Sequence, residues 1–126
     1  MEELGAKKTK ILVIDDEEIV RISCKRALMP AGYEVDTAAS GKEGLEFFGK
    51  GKYDLVIIDL KMPGIDGIDL MAYIKRLYPE QNVMIMTGYD TIEHIVDSIS
   101  SGAAHYLEKP FTPSMLIERI KEALQE

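Results

Sequence analysis

Leu55-Val56-Ile57-Ile58 is an unbroken, mostly β-branched apolar run, with no polar residue alternating through it. Such a run predicts a strand buried on both faces. It delivers a single aspartate, Asp59. Met62-Pro63-Gly64 then stops extended structure, since proline lacks an N–H donor and glycine favours a turn. Lys10-Ile11-Leu12-Val13-Ile14 repeats the pattern and runs into Asp15-Asp16-Glu17-Glu18. Val83-Met84-Ile85-Met86 is another such run, ending at Thr87-Gly88. Two weaker stretches complete a set of five strands: Tyr33 to Ala38, which alternates and suits an edge, and Ala104 to Leu107.

Between the strands the period changes. Val20, Cys24, Ala27, Leu28 and Ala31 follow helical spacing, and Pro30-Ala31-Gly32 ends that helix. Ser40 caps a short helix in which Glu43 offers a capping box and Leu45 and Phe48 turn inward. Gly67 to Tyr78 carries Met71, Ile74 and Leu77 on one side and stops at Pro79. Thr91 to Ser100 carries Ile92, Ile95, Val96 and Ile99. Thr112 caps a last helix, with Pro113 at its first position and Leu116, Ile120 and Leu124 as its buried stripe. Five strands alternating with five helices predict an α/β fold, a parallel sheet covered on both faces. Crossovers are right-handed, and the order 2-1-3-4-5 leaves the weak second strand at an edge.

Composition narrows the picture. A chain of 126 residues, 46% hydrophobic and 29% charged, is one ordinary globular domain. Its net charge of −7 argues against direct binding to nucleic acid or to an anionic membrane, and suits a cation site. One cysteine allows no internal disulfide and fits a reducing, cytoplasmic setting. At its helical position Cys24 reads as a small buried apolar residue. No apolar run approaches the roughly 20 residues of a membrane span. The polar start of the chain has no apolar h-region, so residues 1–9 read as a flexible lead-in to a domain of residues 10–126.

In a parallel α/β sheet the carboxyl ends of the strands line one edge, where ligands bind. Asp15, Asp16, Asp59, Thr87 and Lys109 all stand at such ends. Crowded carboxylates raise one another's pKa unless a cation sits among them. Oxygen-only donors favour Mg²⁺, or Mn²⁺, over zinc. Mg²⁺ takes one or two carboxylates and draws the rest of its shell from water and phosphate. Lys109 adds a point charge suited to a phosphoryl oxygen, and Thr87 a hydroxyl donor. This is the equipment for forming an acyl phosphate on a carboxylate.

Four stretches in this order carry a resemblance: Val13-Ile14-Asp15-Asp16-Glu17, Val56 to Pro63, Met86-Thr87-Gly88 and Tyr106-Leu107-Glu108-Lys109-Pro110-Phe111. The chain from Lys10 to about Leu124 resembles the receiver domain of two-component response regulators, a flavodoxin-like (βα)5 fold. The resemblance implies that Asp59 accepts a phosphoryl group from a sensor histidine kinase or phosphotransfer protein. It implies that Asp15, Asp16 and Asp59 hold Mg²⁺, with the backbone carbonyl of Lys61 completing the shell. It makes Lys109 the partner of the phosphoryl oxygens, places a cis peptide before Pro110, and makes Thr87 and Tyr106 a switch pair. The output surface would be the face of Thr91 to Ser100, Ala104 to Leu107 and Pro113 to Leu124, acting on an output partner or domain or forming a homodimer. Such a chain is a signalling switch, not a turnover enzyme.

Blander readings stand beside these. Tyr106 can be core packing, and His94 and His105 are surface residues without partners at ligand spacing. Glu17 and Glu18 serve the helix N-terminus, or Glu17 orients metal-bound water. Met62, Met71, Met84, Met86 and Met115 are core fillers. Two other functions use related parts. An aspartyl-phosphate phosphohydrolase would place its nucleophile after the first strand with a second Asp two residues on, where this chain has Lys61 after Asp59. A flavin-binding module would need a Ser/Thr/Gly-rich loop after the first strand, where this chain is acidic.

Overall fold

Each long apolar run forms a strand, and the strands lie parallel because a helix returns the chain between them. A computed structural model describes residues 8–62, 65–88, 100 and 105–125, with the backbone alone of Ile65 and Asp66. The elements are β1 (Lys10–Ile14), α1 (Glu18–Leu28), β2 (Glu34–Ala38), α2 (Gly41–Lys50), β3 (Leu55–Asp59), β4 (Lys61–Met62), β5 (Ile65–Asp66), α3 (Gly67–Leu77), β6 (Val83–Thr87), β7 (His105–Glu108) and α4 (Pro113–Leu124). The main sheet is β2-β1-β3-β6-β7, and β4 pairs with β5 in a separate antiparallel ribbon. Counted in chain order the sheet reads 2-1-3-6-7, because the ribbon adds two strands outside it; its own five strands stand in the expected order 2-1-3-4-5. Of the expected helix Thr91 to Ser100 only Ser100 is described, and Ala104, His94 and the first seven residues of the lead-in also lie outside the described residues.

Burial alternates along the central strands. Ile11 and Val13, Leu55 and Ile57, and Met84 and Met86 join one core with Cys24, Leu28, Leu116, Ile120 and Ala123 from α1 and α4. Leu12 and Ile14, Val56 and Ile58, and Val83 and Ile85 join the other with Leu70, Met71 and Ile74 from α3. Both pleat faces are therefore dry, which is why these strands show no polar alternation. Each fully buried Leu, Ile, Val or Met is worth roughly 1.5–3 kcal/mol of transfer free energy.

The caps hold as their residues dictate. Ser40 Oγ accepts the Glu43 N–H at 3.1 Å, and Glu43 Oε1 accepts the Ala39 N–H at 2.6 Å. Thr112 Oγ1 accepts the Met115 N–H at 3.1 Å. Three apolar expectations fail at helix ends. Ala31 is exposed because α1 ends at Leu28, and Leu77 closes α3 exposed while Leu70 is buried instead. The buried set of α3 is Gly67, Leu70, Met71 and Ile74, the i, i+3, i+4, i+7 stripe. Met115, in the first turn of α4, is exposed and fills no core.

Gly67 sets how closely α3 approaches the strand that carries Asp59. Its N–H donates to the Leu60 carbonyl at 3.2 Å. A methyl group there would lie 2.5 Å from the Asp59 carbonyl oxygen and 2.7 Å from Leu60 Cα, both backbone atoms that cannot swing aside. Gly49, near the end of α2, has nothing within 4 Å of that position. Gly67→Ala is expected to cost about 2–3 kcal/mol. Gly49→Ala is expected to gain up to about 1 kcal/mol. Denaturant unfolding of the two variants checks this, and similar effects at both sites would count against the close approach.

Candidate functional site

The sheet brings its carboxyl ends to one edge, and the polar residues there are the few the fold buries. Asp15, Asp59 and Thr87 are the buried polar residues among those described. Asp15 follows β1 directly, and its N–H donates to the Ala38 carbonyl at 3.0 Å, continuing the pairing with β2. Its Oδ1 accepts the Glu17 N–H at 2.8 Å, and its carbonyl accepts from Arg21 Nη1 at 2.8 Å. Asp59 ends β3, and its Oδ1 accepts the Lys61 N–H at 3.3 Å. Thr87 ends β6, and its carbonyl accepts the Lys109 N–H at 2.7 Å.

Lys109 then turns its side chain across the edge. Its Nζ stands 2.8 Å from Asp15 Oδ2, 3.2 Å from Glu17 Oε1 and 3.5 Å from Asp59 Oδ2. Carboxylate oxygens of Asp15, Asp16 and Asp59 lie within 4.8 Å of one another, Asp16 being the exposed member. Burial, and then the charge of Asp15, push the Asp59 carboxyl up to about 6 from its ordinary 3.8, against the opposing pull of Lys109. Burial alone would lower the Lys109 ammonium, but the pairing with Asp15, together with Asp59 and Glu17, outweighs it and the group is raised. Cys24 is fully buried, and burial followed by the Asp15 charge pushes its thiol up to about 12, so it is no nucleophile at neutral pH.

The site has the character of a hard-cation site. Asp15 Oδ2 is buried and, despite the ion pair with Lys109, accepts no aligned hydrogen bond. With two further carboxylates beside it, and no His or Cys in the cluster, the donors fit Mg²⁺ or Mn²⁺.

The remaining sequence candidates fall as follows. Lys61 is exposed beside Asp59, at the start of the ribbon. Tyr106 is 40% exposed on β7, so its ring is not core packing here. The Lys109–Pro110 peptide is cis, as the resemblance implied. His105 is half-buried on β7. Met62, Met71, Met84 and Met86 are buried fillers. Arg21, one helical turn into α1, which holds the Asp15 carbonyl, was not legible beforehand, and Glu17, expected to serve the helix N-terminus or orient metal-bound water, turns to Lys109 and makes no side-chain cap. A glutamate where a Ser, Thr, Asp or Asn cap belongs was the one available signal. A cleft of about 470 Å³ opens above Asp59 between Ile19 and Val20 of α1 and Phe111 after β7.

The model of the response regulator receiver domain family matches residues 11–121, and the chain belongs to that family, the receiver domains of two-component systems. The response regulator MprA of Mycolicibacterium vanbaalenii is 32% identical over 116 residues, which are 92% of this chain and 50% of that protein. The chain thus spans about half the length of the curated relatives it matches. Among solved structures, a receiver domain protein of Clostridium thermocellum is 39% identical with a TM-score of 0.87, covering 93% of this chain and 94% of its own. One from Methanospirillum hungatei JF-1 is 35% identical with a TM-score of 0.90, covering 94% and 95%. The family is one of signalling domains.

The raised Asp59 pKa makes stability depend on pH. The folded value of about 6 exceeds the unfolded value near 3.8, so the fold favours the protonated form. That contribution is complete below about pH 4 and is lost as pH rises through about 6. In metal-free buffer at pH 8, Asp59→Asn is therefore expected to stabilise the protein by about 1–3 kcal/mol, the lost attraction to Lys109 keeping the gain low in that range. At pH 4 the gain should disappear. Thermal or urea unfolding at the two pH values checks the sign, and a gain independent of pH would exclude this cause.

Proposed function

We propose that this chain is a phosphoryl-accepting switch that receives a phosphoryl group on Asp59 from the phosphohistidine of a sensor histidine kinase or phosphotransfer protein. One observation carries the reading: a Lys109 ammonium 3.5 Å from Asp59 Oδ2, beside carboxylates that lie within 4.8 Å of one another. An Asp59 oxygen attacks phosphorus as the P–N bond breaks. The imidazole nitrogen keeps the bonding pair and takes a proton from solvent, and Asp59 becomes an acyl phosphate. Lys109 meets the charge on the phosphoryl oxygens, and the buried setting strengthens that attraction. Asp15, Asp16 and Asp59, with the Lys61 carbonyl, would hold a Mg²⁺ or Mn²⁺ ion that neutralises those same oxygens. Attack needs Asp59 ionised, so protonation of its raised carboxyl opposes acceptance, and a cation that favours the ionised form promotes it.

Transmission follows from where the charge arrives. A phosphoryl group adds negative charge and acceptor oxygens at Asp59. The Thr87 hydroxyl turns to donate to one of them, and the exposed Tyr106 ring moves into the space vacated. Both residues sit on neighbouring strands, with Thr87 registered opposite Glu108. The face of β7 and α4 then presents a changed surface to an output partner, an attached domain or a second copy. This is a shift between two existing states, for which a coupling of about 1–3 kcal/mol suffices.

Acetyl phosphate with Mg²⁺ is expected to add one alkali-labile phosphoryl group at Asp59. Chelation of the metal, or Asp59→Asn, should abolish it. An alkali-stable label, or one that persists in the variant, sinks the assignment, and repeated hydrolysis of a free ester would make the chain a phosphohydrolase. Thr87→Ala should accept the group but lose most of the amide-exchange change on β7 and α4. A full change on that face without the hydroxyl would exclude Thr87 as the trigger.

A further inference from the structure

Glu17 stands at the N-cap of α1 in extended conformation (φ −89°, ψ 119°), yet its side chain makes no capping hydrogen bond. Residues favoured there are short and turn back onto the first helical N–H groups. Glu17 turns away, and its Oε1 receives a hydrogen bond from Lys109 Nζ at 3.2 Å. The two residues are 92 apart in sequence, and their contact joins α1 to the segment after β7 at the cleft above Asp59. The Glu17 side chain is 57% exposed and the Lys109 side chain 15%.

An ammonium has three N–H donors. Here it faces three carboxylates, at 2.8, 3.2 and 3.5 Å. A phosphoryl oxygen at Asp59 would compete with them for the ammonium. Asp15 is buried, and its main chain is pinned by Ala38 and Arg21. Asp59 is the acceptor itself. Glu17 is the exposed member, and it stands outside the trio of Asp15, Asp16 and Asp59.

We infer that Glu17 is a positioning residue: it holds Lys109 in a resting clasp, surrenders it to the incoming phosphoryl group, and thereby sets how readily anionic phosphoryl donors engage the site. The kinetic part rests on the phosphoacceptor reading above. The clasp itself does not, because it is a contact between the two side chains alone.

Two measurements separate the two. The first is a double-mutant cycle on melting temperature in metal-free buffer. Glu17→Gln should lower the melting temperature by about 2 °C when Lys109 is present. In a Lys109→Met background the same substitution should leave it unchanged or raise it, since it then only relieves repulsion among carboxylates. Equal shifts in both backgrounds overturn the clasp. The second is phosphorylation by acetyl phosphate. Glu17→Gln should lower the half-saturating donor concentration about threefold with little change in maximal rate, and the difference should shrink at high salt. An unchanged half-saturation, or a change insensitive to salt, overturns the kinetic role. If the unsubstituted protein takes no phosphoryl group, the phosphoacceptor reading fails, and the cycle alone decides the clasp.

Discussion

The site depends on the ion pair between Lys109 and Asp15, 2.8 Å apart with Asp15 fully buried. An ionised carboxylate out of water costs several kcal/mol unless a positive charge accompanies it. Two carboxylates, Asp15 and Asp59, stand at the ends of adjacent strands at this edge, and the charge of Asp15 opposes ionisation of Asp59. Lys109 is the charge that makes their company tolerable. It comes from beyond β7, which is separated from β1 by β3 and β6, so its side chain ties the far edge of the sheet to the first strand.

That arrangement leaves the site strained by charge in a useful direction. Asp59 is held close to neutrality at mild acid and is costly to ionise, so a divalent cation or a relocated lysine gains free energy on entering. The rest of the fold supplies rigidity. Dry cores on both faces of the sheet fix the strand ends, and the absence of a Cβ at Gly67 lets α3 pack against the backbone of Asp59 and Leu60. A site built on strand ends backed by packed helices can hold its geometry more closely than one built on loops.

The same edge is tied together through the main chain. The Thr87 carbonyl accepts the Lys109 N–H at 2.7 Å, so the end of β6 and the segment that carries the ammonium are joined through the main chain. Any relocation of Lys109 or of the Thr87 hydroxyl acts on one connected piece of backbone. Tyr106 lies on β7 just before that piece, with its ring exposed. An exposed aromatic on a short edge strand has both the freedom and the apolar area to report a change nearby.

Asp15, Asp59, Thr87 and Lys109 could be brought together from the sequence alone. Each follows an apolar run, and in a parallel sheet with helical returns every such run must end at the same edge. The capping residues Ser40 and Thr112 were equally legible, because their partners lie three residues away. What sequence could not supply were contacts whose existence depends on the spacing between elements. Arg21 reads as an ordinary polar helix residue until α1 is laid beside the Asp15 carbonyl. Gly67 reads as a helix start until α3 meets the backbone of β3. Ala31, Leu77 and Met115 continue their helical patterns but lie where no described element buries them. Glu17 and Lys109 are separated by 92 residues, and only the packing of α1 against the segment after β7 makes them neighbours. Periodicity specifies which face of an element is apolar; how far that face is covered, and which polar side chain waits across the gap, is decided by tertiary distance.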